Sequence, residues 1–591
     1  MKPLASSWTL ETAKRPVLLA VIVLVVGLVY ANSLNAGFVW DDASIVVNRG
    51  GFFSEPSNAW TLLSSEDSTH ASGVKNPYYR PLNTLIYMLD YHLWGHAPFW
   101  YHLENLLLHA LTVVLLFLVV EAAFADRVLA FATAILFAVY PVNSEAVSFV
   151  SARNNLLCVG LLFASLLALT KCRAHARLRP FGALLLFFLA LMSKESAVVT
   201  PFFLASLATF TKEPKLRAKG AMLLSFFAVL LVYFGIRFLV LDTFTSEAGP
   251  ELSTEKLRLM AAVYFENFRL ILFPFHLNAS YTQEFLSFNG FKAIAALAGV
   301  GLLVFFSVWR RSPEPIRAGL HWVFWGLLLV SNLIAIPSAP VAERYLYAVV
   351  PGVALVAAYL LREALRRNAR PAAIVFAIIA VSFGARAFTR NQVWTDDLTL
   401  DTSMLRSDPS NAGAHMNLGI TLSNLDRMEE GERALRESIR LNASNARAHY
   451  NLATLQFRQG RLAEAMQSNE TAIRLDPGHA KARSSLGVIY TRIGRNEDAA
   501  RELEEAVRLE PGYAEGRNNL GMFYGESGRM EEALAEFQQA SRLRPDLATI
   551  QRNLATAYMK LGRGDDARRA FERAAEIDPR YASPSTNPTE K

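Results

Sequence analysis

Residues 16–42 read PVLLAVIVLVVGLVYANSLNAGFVWDD. With its flank to residue 34, the apolar run from Pro16 to Val29 is long enough to cross a bilayer. Two adjacent carboxylates, Asp41 and Asp42, come just beyond it. A charge beside hydrocarbon is expensive and is rarely kept without a function. Phe38-Val39-Trp40-Asp41-Asp42 therefore marks a candidate catalytic centre. Lys14 and Arg15 precede the run, and no convincing small-residue cleavage site follows it. This predicts an uncleaved first span rather than a signal peptide.

The same apolar character recurs at 99–122, 127–142, 154–171, 180–193, 196–211, 220–241, 291–309, 319–336, 345–361 and 371–387. That predicts about eleven spans, the fifth and sixth meeting in a bent hairpin at Ser193-Lys194-Glu195. Segment 257–275 carries Arg258, Glu266 and Arg269 among apolar residues, a pattern suited to a helix lying at the interface. So does Pro81 to Trp94, entered through Asn76-Pro77-Tyr78-Tyr79-Arg80. Basic clusters at Lys14-Arg15, Lys171 to Arg179, Lys212 to Lys219, Arg310 to Arg317 and Arg362 to Arg370 all fall on one side if 257–275 does not cross. Asp41-Asp42, residues 143–153, Lys194-Glu195, Ala342-Glu343-Arg344 and everything after residue 387 then share the opposite, outer face.

Beyond residue 387 the composition changes to Arg- and Glu-rich without apolar runs. Residues 410–579 divide into five gapless units of 34: 410–443, 444–477, 478–511, 512–545 and 546–579. The last four end in Pro477, Pro511, Pro545 and Pro579. Leu520, Gly521, Tyr524, Gly528, Ala533, Phe537 and Ala540 recur as Leu554, Ala555, Tyr558, Gly562, Ala567, Phe571 and Ala574. This is the tetratricopeptide pattern, so an α-solenoid is predicted. Residues 388–409 read as a half-repeat connector and 580–591 as a disordered tail. Asn417, Asn451, Asn519 and Asn553 occupy one position of the first helix in each unit, with Ser485 in the third. They are either local helix-to-helix hydrogen bonds or an amide ladder gripping an extended peptide.

The net charge of +7 is largely accounted for by the loops between spans, so it does not argue for nucleic-acid binding. The two cysteines, Cys158 and Cys172, lie in or beside one apolar segment and make no disulfide framework or Cys-based metal site. His102 and His109, with Glu104 nearby, read as packed, hydrogen-bonded histidines rather than metal ligands. No phosphate-cradling Gly loop or nucleophilic serine motif is present.

Several segments carry a family resemblance: Phe38 to Ile45, Tyr79-Arg80-Pro81-Leu82, Tyr140 to Val147, Ser151 to Leu157, Ser193-Lys194-Glu195, Ala342 to Tyr347, and Arg390-Asn391 with Trp394. Together with the repeats, they resemble the transmembrane-and-tetratricopeptide O-mannosyltransferase family. The resemblance implies an all-α, polytopic GT-C-type membrane domain (1–387) followed by the solenoid. It also implies transfer of mannose or another hexose from a polyprenyl-phosphate donor to Ser/Thr hydroxyls at the outer face. The sequence departs from the family at Tyr140, where His is usual, and at Asn154-Asn155, where Ala-Asp is usual. Loss of that carboxylate argues against a bound divalent metal.

Asp41 is the expected base, with Asp42 as runner-up. Arg344, Lys194, Arg80 and Arg153 are the candidate phosphate ligands. Glu145, Glu195, Glu343 and Tyr79 are candidates for sugar or acceptor contacts, and a protein or peptide acceptor would use the repeats. Three alternatives stand: a glycosyltransferase for lipid or polysaccharide, a non-enzymatic membrane scaffold, and a transporter. The expected setting is a bacterial inner membrane with the repeats in the periplasm. The alternative is an endoplasmic reticulum membrane with the repeats in the lumen and Asn278-Ala279-Ser280 as a sequon.

Overall fold

The computed structural model describes residues 14–64, 78–170, 178–210, 220–241, 253–282, 285–331 and 339–581. Most of the basic cluster at Lys171 to Arg179, the cluster at Lys212 to Lys219, Cys172, Asn76-Pro77 and nearly all of the expected tail lie outside these stretches. The chain forms two compact units. The first runs to Ser407. The second starts at Asp408 and also takes in Val47–Asn58.

The first unit is all helical among the described residues, apart from one isolated bridge between Tyr281 and Val341. Each predicted apolar segment contains a helix, and among the described residues six helices are long and apolar enough to cross a membrane. The unit is that of a multi-pass membrane protein. Its outward faces are apolar: Leu239 is 84% and Phe291 74% exposed, a surface stable against lipid but not against water. Helix contacts use small residues. A Cβ on Gly352 would sit 2.5 Å from the Gly319 carbonyl, so the Glu314–Leu329 and Val350–Arg367 helices cross backbone to backbone. Without a hydrophobic drive between helices in lipid, such close approach supplies dispersion contact.

The bend at Ser193-Lys194-Glu195 appears as expected. The Leu178–Ser193 helix ends, Lys194 is extended, and a 3-10 turn, Glu195–Val199, leads into Thr200–Phe210. Segment 257–275 is mostly one helix, Thr254–Leu272, capped by Ser253. Asn278 is 3% exposed, so the Asn-Ala-Ser stretch is not presented as a sequon would need. The segment expected as a half-repeat takes in the end of the Ala369–Asn391 helix, a 3-10 turn, Gln392–Trp394, and one further helix, Asp397–Ser407, all placed with the first unit.

The second unit stacks five helix pairs, from Ala412–Asn424 with Met428–Leu441 to Ala548–Lys560 with Gly564–Ile577. The turn inside each later pair needs positive φ and has glycine: Gly460, Gly494, Gly528 and Gly562 at φ 73–77°. Asp426 holds that place in the first pair at φ 58°. Small residues let the paired helices touch. A Cβ on Gly521 would meet the Phe537 ring at 2.8 Å.

Candidate functional site

The Trp-Asp-Asp loop is held in an unfavourable conformation by its neighbours. Trp40 has φ 52°, a strain of about 1–3 kcal/mol for a bulky residue. Its N–H donates to Asp397 Oδ1 at 2.9 Å, and the Gly37 N–H donates to the Thr395 carbonyl at 2.9 Å. Its ring packs edge-on against Phe149 and Trp394, themselves stacked 5.1 Å apart. The residues after Trp40 then begin a short turn, Asp41–Ile45.

That turn gives the two carboxylates different surroundings. Asp42 is fully buried. Its Oδ2 accepts from the Val39 N–H at 3.1 Å, and its Oδ1 accepts from the Ser151 N–H at 2.7 Å and from the Ser151 hydroxyl. Burial pushes its carboxyl up to about 7, against the pull of these hydrogen bonds. Asp42 thus ties the first loop to residues 150–152. Asp41 is exposed, so of the pair it is the one an incoming hydroxyl can reach.

Three cations gather on the same side of this unit. Arg80 donates from Nε and Nη2 to the Glu195 carboxylate at 2.9 and 2.7 Å, with Tyr78 stacked at 4.3 Å. Arg344 pairs through Nη1 with Glu145, whose other oxygen accepts the Arg344 backbone N–H at 2.8 Å. Asp41 lies close enough to add to the field that keeps Arg344 charged. Lys194 Nζ donates to the Asn155 side-chain carbonyl, a neutral acceptor, and sits 5.2 Å from the Tyr345 ring. The same ring lies 5.1 Å from the Arg344 guanidinium. Burial, then the charge of Arg80, push Lys194 down to about 7, and Arg344 acts in the same direction. Two guanidiniums neutralised by carboxylates, an ammonium held by an amide and an exposed aspartate form one mixed cluster. Arg80 and Arg344 keep 18% and 17% of their side-chain surface open.

Three expected site residues are occupied elsewhere. Arg153 has no exposed side-chain surface. It pairs with Asp90 and with Glu104 (3.1 Å), and donates to Asn105 Oδ1 at 2.7 Å and the Tyr101 carbonyl at 2.9 Å. It is a buried strut, not a phosphate ligand. Tyr79 is buried, and its hydroxyl donates to the Leu63 carbonyl at 2.8 Å. Tyr78 is the ring at the cluster. Glu343 is buried and accepts from Arg390 Nη2 at 2.9 Å and from the Tyr281 hydroxyl at 3.3 Å, so it has no opening toward a sugar. Glu145 and Glu195 lie in the cluster but serve as seats for Arg344 and Arg80.

In the repeats, the Asn519 and Asn553 amides donate to Ser484 and Asn518 of the preceding first helix, at 3.0 and 2.9 Å. Both therefore lace neighbouring repeats together. Asn417 and Asn451 are half-buried at the same position.

His102 and His109 are packed. A His102 ring nitrogen lies 3.2 Å from the Gly37 carbonyl, and a His109 nitrogen lies 2.8 Å from the Tyr347 hydroxyl. Among the described residues, no three His, Cys, Asp or Glu side chains gather as a metal site would.

Sequence reasoning missed Asn155, Ser151, Tyr78, Tyr345 and Asp397. All but Asp397 adjoin or lie within the motifs already quoted, so adjacency was the available signal. What it could not give was which member of each motif faces inward.

Tetratricopeptide repeat family profiles match residues 416–480, 457–520 and 512–580. Over 501 residues the chain is 26% identical to human protein O-mannosyl-transferase TMTC3, covering 70% of this chain and 54% of that one. It is 33% identical over 193 residues to human protein O-mannosyl-transferase TMTC1, covering 29% of this chain and 21% of that one. The chain thus spans about half the length of TMTC3. Among solved structures, the thermophilic TPR protein TTC0263 of Thermus thermophilus is 26% identical. The match covers 29% of this chain and 97% of that one, with a TM-score of 0.27. The matched O-mannosyl-transferases are animal proteins and lend no support to a bacterial origin.

Proposed function

We propose that this chain is a membrane glycosyltransferase. It moves mannose or another hexose from a polyprenyl-phosphate donor to Ser/Thr hydroxyls of protein acceptors at the outer face. The observation that carries this reading is an exposed carboxylate, Asp41, close to Arg344, which shares a cation cluster with Lys194 and Arg80. The similarity to protein O-mannosyl-transferases supports it independently.

The reaction has two charge demands, and the cluster suits both. As the acceptor oxygen attacks the anomeric carbon, its proton passes to the Asp41 carboxylate. The bond from that carbon to the phosphate oxygen breaks, and the electron pair leaves with the polyprenyl phosphate. Arg344, Arg80 and Lys194 stabilise the departing anion by charge-assisted hydrogen bonds. Glu145, Glu195 and Asn155 hold those cations in place beforehand, so little reorganisation is needed during the step. The repeats supply a protein-binding surface for acceptor or partner.

The test is sugar transfer by purified protein from polyprenyl-phosphate sugars to Ser/Thr acceptors. Asp41→Asn is expected to lower the rate by about 10²–10⁴ with the fold intact, the usual contribution of a positioned base. Full transfer by Asp41→Asn would remove Asp41 from the mechanism. No transfer by wild type from any donor would favour the scaffold reading.

A further inference from the structure

Asn155 is the acceptor for Lys194 Nζ. Arg80 and Arg344 each have a carboxylate of their own, Glu195 and Glu145. Lys194 is 9% exposed. The groups facing it are Arg80, Glu195, Arg344, Tyr345 and Cys158. Of these, Glu195 is committed in both oxygens to Arg80, and the other two charged groups are cations. A buried ammonium in such company is poorly compensated, because an amide dipole offsets far less charge than a carboxylate. Lys194 therefore has no carboxylate of its own, and a phosphodiester carries one negative charge.

We propose that Asn155 makes donor binding proton-linked: seating the single negative charge of a sugar phosphodiester beside Lys194 draws a proton from solvent onto Nζ. This rests on the donor class proposed above and adds a property the reaction itself does not require. The sign follows from the burial that holds free Lys194 down to about 7. An adjacent anion favours the charged amine, so the complex binds more protons than the free protein. Affinity is then expected to fall as pH rises above about 7, by up to roughly tenfold per pH unit.

Isothermal titration calorimetry tests this with a short-chain prenyl-phosphoryl-mannose, whose phosphodiester has no titrating proton near neutrality. Titrations at about pH 8 in buffers of different ionisation enthalpy should show wild type taking up roughly half to one proton per ligand. Lys194→Arg, a permanent cation, should bind without proton uptake. Asn155→Asp, which gives Lys194 its counter-charge, should also lose the uptake and bind more weakly. Lys194→Arg keeps the test decisive if Asn155→Asp fails to fold. Binding by wild type with no proton linkage, or equal uptake by wild type and Lys194→Arg, would overturn this inference and leave the donor reading standing. No binding by wild type at any pH would overturn both.

Discussion

The two units use the same ion pair in opposite ways. In the repeats, Arg427 meets Glu430 three residues away, with both side chains nearly half exposed. In the membrane unit, Arg344 meets Glu145 across 199 residues and Arg80 meets Glu195 across 115, while Arg153 and Asp90 are almost wholly enclosed. A surface pair exchanges water for a partner at nearly equal free energy. A buried pair has already lost its water, so removing one member strands the other. Charge is therefore nearly interchangeable in the solenoid and structural in the membrane unit, where the proposed chemistry is placed.

The sharpest way to break that contrast is Arg153→Met. It leaves Asp90 buried without its cation, and a loss of about 3–5 kcal/mol is expected, read as a fall in apparent Tm in detergent. Adding Asp90→Asn should return part of the loss, because the stranded charge rather than the missing contact dominates. If Arg153→Met melts like wild type, the buried strut is not what holds these helices together.

Asp42 extends the comparison to pH. Its folded-state carboxyl stands at about 7, above the ordinary value near 4. Its contribution to stability is therefore fully present below about pH 4 and is lost as pH rises through about 7. A tenfold change in proton affinity corresponds to about 1.4 kcal/mol, so the whole contribution is on the order of a few kcal/mol. The apparent Tm of wild type should fall between about pH 5 and pH 8 more than that of Asp42→Asn. Equal slopes would show that the hydrogen bonds from Val39 and Ser151 outweigh burial.

A smaller effect belongs to the solenoid turns. Gly528→Val forces a branched residue to φ 77° and should cost roughly 1–3 kcal/mol, read from chemical denaturation. Asp426→Gly, at the corresponding first turn, should show no such penalty, since glycine relieves the strain there. Its gain is offset by losing the 2.9 Å pair with Arg458. Two substitutions at one structural position would thus move stability in different ways.

These differences also explain what could be read in advance. The solenoid was legible almost residue by residue because its contacts recur at a fixed 34-residue offset: Gly460, Gly494, Gly528 and Gly562 all fall where the turn needs them. The apolar helices were legible from length and hydropathy, and the short break at Lys194 from the charges inside it. The candidate site was legible only as a set of motifs. That Asp41 is open and Asp42 closed depends on Ser151, 109 residues away. That Arg153 is closed and Arg344 open depends on Asp90 and Glu145. Short motifs carry no mark of which side chain turns inward, since burial is decided by long-range packing. Asn519 and Asn553 reach across to the preceding repeat for a related reason: a residue repeated in every unit serves the joint between units as readily as a ligand.

The smallest expected effect completes the contrast. Glu430 receives both Nε and Nη2 of Arg427 at 2.8 Å, a geometry as good as that of Arg80 on Glu195. If geometry alone set the value of an ion pair, Glu430→Gln and Glu195→Gln would cost the same. Solvent decides otherwise: Arg427 regains water when its partner is neutralised, whereas Arg80, pressed against Tyr78 and near Lys194, does not. Glu430→Gln should leave the melting curve unchanged at low and high salt. Glu195→Gln should lower apparent Tm and depress Lys194 further by leaving a second uncompensated cation beside it. Equal responses would mean that the membrane-unit cluster is as open to water as the solenoid surface, and the preorganisation assigned to Glu195 and Glu145 would have no basis.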